Sequence, residues 1–239
     1  MPDSIAAYRR KVLGAHRPAF KLFTYVAGVL ENAIVVSRQH PALADMVLDM
    51  LMLQAFKAYG AVALLAQHGL MEDSATVARR LLELSVQAVY VGAESEKRLR
   101  ERKAGRYLSF MWRQLPRKVK HRLPPGIRSQ WTAIARKYAR FVPRNARSWG
   151  PNWREMFREI GAEPTYIADY SFLSAIAHGS PDNQVFVFSQ ARIRLHSHQF
   201  VSILLAYATK YCVITAEQWN NRFGIIAPKE FATLVRRAR

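Results

Sequence analysis

Apolar residues recur along this chain at steps of three and four, the spacing that gathers them on one face of a helix. Over 19–37 the series is Phe20, Phe23, Ala27, Leu30 and Ile34. Pro41 suits the first turn of a second helix, whose stripe runs through Leu48, Leu51, Ala55, Tyr59, Val62 and Leu65 and stops near Gly69. A third helix, capped by Asp73 or Ser74, carries Val77, Leu81, Leu84, Ala88 and Val91, the small and branched side chains of a buried central element. Beyond Gly92 the residues 94–106 are charged, which predicts an exposed helix ending near Leu115-Pro116.

Pro124-Pro125-Gly126 is the sharpest break in the pattern. An amphipathic helix is predicted over 127–141, with Trp131, Ile134, Ala135 and Tyr138 on one face and Arg128, Arg136, Lys137 and Arg140 off it. A loop over 143–151 leads to a short helix carrying Trp153, Met156, Phe157 and Ile160. A helix over 165–177 ends at Gly179 and Pro181. Residues 184–189 alternate weakly, as a short extended segment or a loop. A long helix over 196–220 follows, and Pro228 opens a last short one. The fold class is therefore all-α. It is read as one helical domain over 1–239, with its core at about 18–92 and 164–220 and a basic insertion at about 97–158.

Composition narrows the setting. Half of the 239 residues are apolar, enough to bury a full core. The single cysteine, Cys212, excludes an intrachain disulfide and a multi-cysteine zinc site, and within the apolar run 201–216 it reads as a buried thiol. No apolar stretch follows the basic Tyr8-Arg9-Arg10-Lys11 in the manner of a secretory signal. The longest apolar runs are broken by Asp45, Asp49 and Lys57, or by Lys210, which argues against a membrane span. A reducing, cytoplasmic setting is expected.

Charge changes the picture more. Residues 102–154 hold fifteen Lys or Arg and no Asp or Glu, so most of the net charge of +19 lies there. The flanks are nearly balanced. A chain that needs only solubility mixes both signs, so this window suggests a surface for a polyanion. The residues assigned to that surface are Arg102, Arg106, Arg113, Arg117, Lys118, Lys120, Arg128, Arg136, Lys137, Arg140, Arg144 and Arg147. Tyr107, Phe110, Trp112, Trp131, Tyr138, Phe141, Trp149 and Trp153 are interleaved with them, as stacking platforms for bases or as core. Nucleic acid is the favoured partner, RNA before DNA. An acidic protein or an anionic lipid is the alternative.

Two further patterns place polar groups on apolar helices. Arg79 and Glu83 stand four apart and share a face, where they pair either as a site or as an architectural ion pair. Tyr166, Tyr170, Ser174 and His178 recur every fourth residue as one polar stripe. His178 falls at a helix C-terminus, whose dipole favours the imidazolium, as a general acid or base or as a hydrogen-bonded structural residue. His196 and His198 have a spacing zinc can use, but no third ligand lies near in sequence, so neither a metal nor a cofactor is expected. Nucleotide-binding glycine loops, zincin and nucleophile-elbow motifs are absent from the sequence. The stripe of Phe200, Ile203, Leu204, Tyr207, Tyr211 and Ile214 fits either a homodimer interface or core.

The R-x-x-x-E helix and the Y-x-x-x-S-x-x-x-H helix end resemble a bacterial family of helical proteins of unknown function, over about 42–180. That family is similar to the HEPN-like helical proteins, many of which are ribonucleases of toxin–antitoxin and phage-defence systems. The resemblance implies a HEPN-like bundle and a candidate metal-independent endoribonuclease site at Arg79, Glu83, Tyr170, Ser174 and His178. The HEPN nuclease signature is an arginine, four to six residues, then a histidine, and no arginine precedes His178 at that spacing. Arg10 with His16 and Arg192 with His198 fit it, as chance matches in an arginine-rich chain. A non-enzymatic interaction subunit and a sensor of small anions, with Arg79 and His178 as its pocket, are the other two function classes.

Overall fold

A computed structural model describes residues 5–36, 39–142, 149–177 and 200–238. Among them every regular element is helical. The first two helices are α1 (Ile5–Ala15) and α2 (Arg17–Ile34), of which the periodicity predicts only the second. α3 (Leu43–Gln67) and α4 (Met71–Gly92) form an antiparallel pair joined through Gly69, which stands at φ +72, a backbone conformation open to glycine. Pro41 precedes α3 rather than sitting in its first turn. The opening N–H groups of Leu43 and Ala44 are instead capped from a distance by the Glu101 carboxylate, at 3.0 and 3.2 Å.

α4 begins at Met71, two residues ahead of the predicted caps, with Glu72 and Asp73 inside its first turn. Ser74 is buried and donates to the Val62 carbonyl at 3.2 Å, so it ties α4 to α3 instead of capping. Ser85 and Gln87 are also buried on this helix, among Leu81, Leu82, Leu84, Ala88 and Val91.

α5 (Lys97–Gln114) departs most from expectation. It is not an exposed charged helix: Ala104, Gly105, Tyr107, Leu108 and Ser109 are buried. These five apolar or small positions at helical spacing suffice for one buried seam, even in a segment rich in arginine. A short α6 (Arg117–Arg122), absent from the sequence reading, leads to α7 (Pro125–Tyr138). α5 and α7 pack as a hairpin, and Gly105 is where they meet. A Cβ built there would lie 2.4 Å from the Tyr138 ring.

A 3-10 turn (Ala139–Phe141) ends α7. α8 (Trp153–Glu159) follows with a full capping box, Asn152 accepting from the Glu155 amide at 3.0 Å and Glu155 accepting from the Asn152 amide at 3.3 Å. The single helix expected over 165–177 is three pieces: α9 (Glu163–Thr165), a π-helical turn (Tyr166–Tyr170) and α10 (Ser171–Ala177). α11 (Val201–Phe223) stops at Gly224, φ +63, and Pro228 opens α12 (Pro228–Ala238). The proposed extended segment 184–189, the stop at Gly179 and Pro181, and His196 with His198 lie outside the described residues.

The core is the α3–α4–α11 trio. α2 and α12 cover α11, α10 and α8 cover α4, and α5 leans on α3 and α4. Buried residues from Val12 to Leu234 form one connected apolar cluster. α3 is long and apolar enough, by length and composition alone, to cross a membrane; in this fold its Leu48, Leu51, Met52, Ala55, Tyr59 and Val62 are buried against other helices. Leu204 and Tyr211 of the last long stripe are likewise core, whereas Ile203 is exposed. Cys212 is wholly buried, and burial pushes its thiol pKa up.

Candidate nucleic-acid interface and polar cluster

The basic window folds into α5, α6 and α7. Arg102, Arg113, Arg117, Lys118, Arg136, Lys137 and Arg140 are exposed, and Lys120 and Arg128 are partly so. Among the described residues no carboxylate pairs with Arg102, Arg117, Lys118, Lys120, Arg128, Arg136, Lys137 or Arg140. The cations at the edges of the window are neutralised instead, Lys103 by Glu94 at 3.0 Å and Arg154 by Glu163 at 3.0 Å. Lys103 and the Glu96 amide together hold the Glu94 carboxyl below its ordinary range. Arg106 is half-buried, and its Nε has no partner among the described residues. Arg113 reaches the Val142 carbonyl at 3.3 Å. Arg144 and Arg147 lie outside the described residues.

The interleaved aromatics divide into two sets. Tyr107, Tyr138 and Trp149 are buried, so they are not part of the outward basic face. Trp149 stands edge-on to Tyr107 at 5.2 Å and to Tyr90 at 5.6 Å. Phe110, Trp112, Trp131, Phe141 and Trp153 are only half-buried. Trp112 and Trp131 stack at 6.1 Å with Lys120 5.3 Å over the Trp112 ring. Phe141 lies under both Arg140, at 4.7 Å, and Arg102, at 5.7 Å. Cations held on aromatic faces keep their charge outward while shedding rotamer freedom.

The second region is the polar cluster of α4 and α10, which pack against each other. Glu83, nearly buried, accepts from Arg80 Nη1 at 3.3 Å and forms an ion pair with Arg79, whose Nε lies 3.8 Å away. The Arg79 guanidinium lies 5.8 Å over the Tyr170 ring. Burial raises the Tyr170 pKa; the Glu83 charge adds to this and Arg79 opposes it. Tyr166 stacks on Tyr170 at 5.0 Å, so the first two members of the stripe keep company across the π turn. Ser174 Oγ is shielded from water and has no partner among the described residues. The structure thus brings together Arg79, Glu83 and Tyr170, with Ser174 one helical turn beyond; His178 lies outside the described residues.

Several polar groups escaped the sequence reading. Arg80 Nη2 also donates to Gln54 Oε1 at 3.4 Å, and Gln54 in turn donates to the Tyr107 hydroxyl at 3.4 Å, a chain that links the cluster to α5. Asp169, inside the π turn, accepts from Lys210 at 2.8 Å, from Tyr207 at 3.5 Å and from Tyr211. Burial raises the Tyr211 pKa, and the Asp169 carboxylate raises it further. Gln87 was legible as a lone amide in an apolar helix; Asp169 offered no periodic signal at all. No three His, Cys, Asp or Glu side chains among the described residues gather as a metal site.

No curated protein and no solved structure matches the chain significantly. Residues 45–189, more than half of its length and the stretch that holds α4, the basic hairpin and α10, match the DUF5677 family, described as a family of unknown function, and the chain belongs to that family.

Proposed function

We propose that this is a HEPN-like helical protein that binds nucleic acid, RNA before DNA, through the α5–α7 face. The observation that carries this reading is the set of eight cations on α5–α7 that have no carboxylate partner among the described residues, beside half-exposed aromatic rings. Phosphates neutralise such a surface and release the counterions it holds, so affinity falls as salt rises. Anisotropy of a labelled single-stranded RNA tests it. The expected result is a loss of affinity of tenfold or more between about 50 and about 200 mM salt. Binding that ignores salt, or a shift seen only with an acidic protein and untouched by RNase, overturns it in favour of an interaction subunit.

A second reading, metal-independent cleavage of the bound RNA in a toxin or phage-defence module, is favoured by Arg79 lying over Tyr170, which brings the two motif-bearing helices face to face. In that reaction His178 takes the proton of a 2′-hydroxyl, whose oxygen attacks the adjacent phosphorus. The bond to the 5′-oxygen breaks, and that oxygen takes up a proton. Arg79, steadied by Glu83, offsets charge on the phosphoryl oxygens, and Tyr170 and Ser174 orient the imidazole or the phosphate. Wild type should cut RNA in EDTA while His178→Ala does not. Equal cleavage by both removes His178 from the site, and intact RNA with both leaves a binding protein.

A further inference from the structure

A cavity of about 420 Å³ opens between α4, α5 and the start of α8, within the size range of small-molecule sites. Phe110, Trp149 and Trp153 supply flat walls, and Trp149 is held by its edge contacts to Tyr90 and Tyr107. Gln87 lines it from α4, on a helix segment otherwise apolar. Its side chain is buried, 4% exposed, and Oε1 accepts no hydrogen bond from any described residue. An amide acceptor withdrawn from water without a donor is a cost the fold carries unrewarded. The last torsion of a glutamine is soft, so a small turn brings that oxygen onto a donor entering the cavity. Arg80 also lines the cavity, is half-exposed, and is braced by Glu83 and Gln54.

Flat walls, an unmatched acceptor and a braced cation on one rim describe a receptor for a planar heterocycle bearing N–H donors and a nearby phosphate. We infer that this cavity receives one unpaired nucleobase, with Gln87 accepting from its ring or exocyclic N–H, Trp153 and Phe110 against its faces, and Arg80 toward its phosphate. The base belongs either to a single strand lying on the basic hairpin or to a free nucleotide. The polymer source rests on the nucleic-acid reading above; the pocket itself does not.

The experiment titrates AMP, CMP, GMP and UMP, and separately a short single-stranded RNA, into wild type, Gln87→Met and an Arg136→Glu/Lys137→Glu/Arg140→Glu variant, following tryptophan fluorescence and calorimetry. Methionine matches the volume of glutamine without the acceptor, so the variant should fold at least as stably, checked by its melting temperature. At least one mononucleotide should quench wild type, and its affinity should fall about tenfold in Gln87→Met. The triple variant should keep mononucleotide binding while losing the polymer. Nucleotide binding without RNA binding keeps the pocket and overturns the surface reading. RNA binding that Gln87→Met leaves intact, with no mononucleotide bound, overturns the pocket and keeps the surface.

Discussion

The α3–α4–α11 trio and the α5–α7 hairpin treat polar groups in opposite ways. Inside the trio many find partners within the fold: Tyr59 with Thr209 at 3.0 Å, Trp219 Nε1 with Asp49 at 2.9 Å, Thr215 with the Tyr211 carbonyl at 3.0 Å, and Asp45 with Arg222. On the hairpin Lys103 pairs with Glu94, but most of the outward cations have no carboxylate partner among the described residues, and the seam is built from Ala104, Tyr107, Leu108, the Gly105–Tyr138 contact and Ser109 donating to the Ala135 carbonyl. Self-matched polar groups serve stability, because a buried group without its partner costs more than the pair contributes. An unmatched surface of one sign contributes nothing to the fold. Its repulsion has to be met elsewhere, and a partner of opposite charge relieves it.

The sharpest way to test that division is to damage the trio. Trp219→Ala removes a fully buried ring and leaves Asp49 without its indole donor, and should cost about 3–5 kcal/mol in a denaturant titration. RNA affinity of the fraction still folded should hold. Damage to the hairpin seam should read differently. Gly105→Val drives a branched side chain into the Tyr138 ring and should cost about 1–3 kcal/mol, with hydrogen exchange rising in α7 before α3. Equal exchange in both helices would mean that the two regions unfold as one unit.

Alkaline pH probes the boundary between them, where Tyr90 of α4 lies under Lys103 at 4.0 Å. Burial, with the Glu159 charge beside it, raises the Tyr90 pKa to about 12. A phenol whose pKa is higher folded than unfolded stabilises the fold fully below the unfolded value, near 10. That stability is lost as pH climbs from about 10 towards about 12. Denaturation midpoints should therefore fall across this window, and Tyr90→Phe should flatten the fall. The smallest effect on the fold belongs to Arg136→Glu with Lys137→Glu and Arg140→Glu. All three sites are exposed, so stability should stay within about 0.5 kcal/mol per site while RNA affinity drops tenfold or more.

This contrast also explains what the sequence disclosed. The trio was legible because a buried helix repeats its apolar residues over about four turns, as Leu48, Leu51, Ala55, Tyr59 and Val62 do. Breaks at Gly69 and Pro228 were legible because glycine and proline act through local backbone sterics. α5 misled because its seam is narrow and its arginines dominate any average. Tyr107, Tyr138 and Trp149 were left between two readings for a related reason: an aromatic ring among cations has the same letters whether it stacks on a base or fills a core. Arg79 and Glu83 were found by helix arithmetic. The Arg80–Gln54 contact and the Asp169 set join elements far apart in sequence, which no local pattern encodes.

The π turn at 166–170 has a consequence for how this chain tolerates change in length. Such a turn holds one residue more than the α-helical path, and each residue advances a helix by roughly 100°. Deleting any one residue there would let the segment relax into ordinary helix at no loss of hydrogen bonding. The helix after it would keep nearly its present phase, because five residues in the wide turn sweep about the angle that four sweep in an α-helix, and Leu173 and Ile176 would stay on the α4 surface. The loss of a single residue in this stretch should therefore be absorbed where it occurs, whereas an added residue, for which the turn has no room left, should be felt across the whole of α10. The turn acts as a reserve of one residue that leaves the phase of the helix after it unchanged.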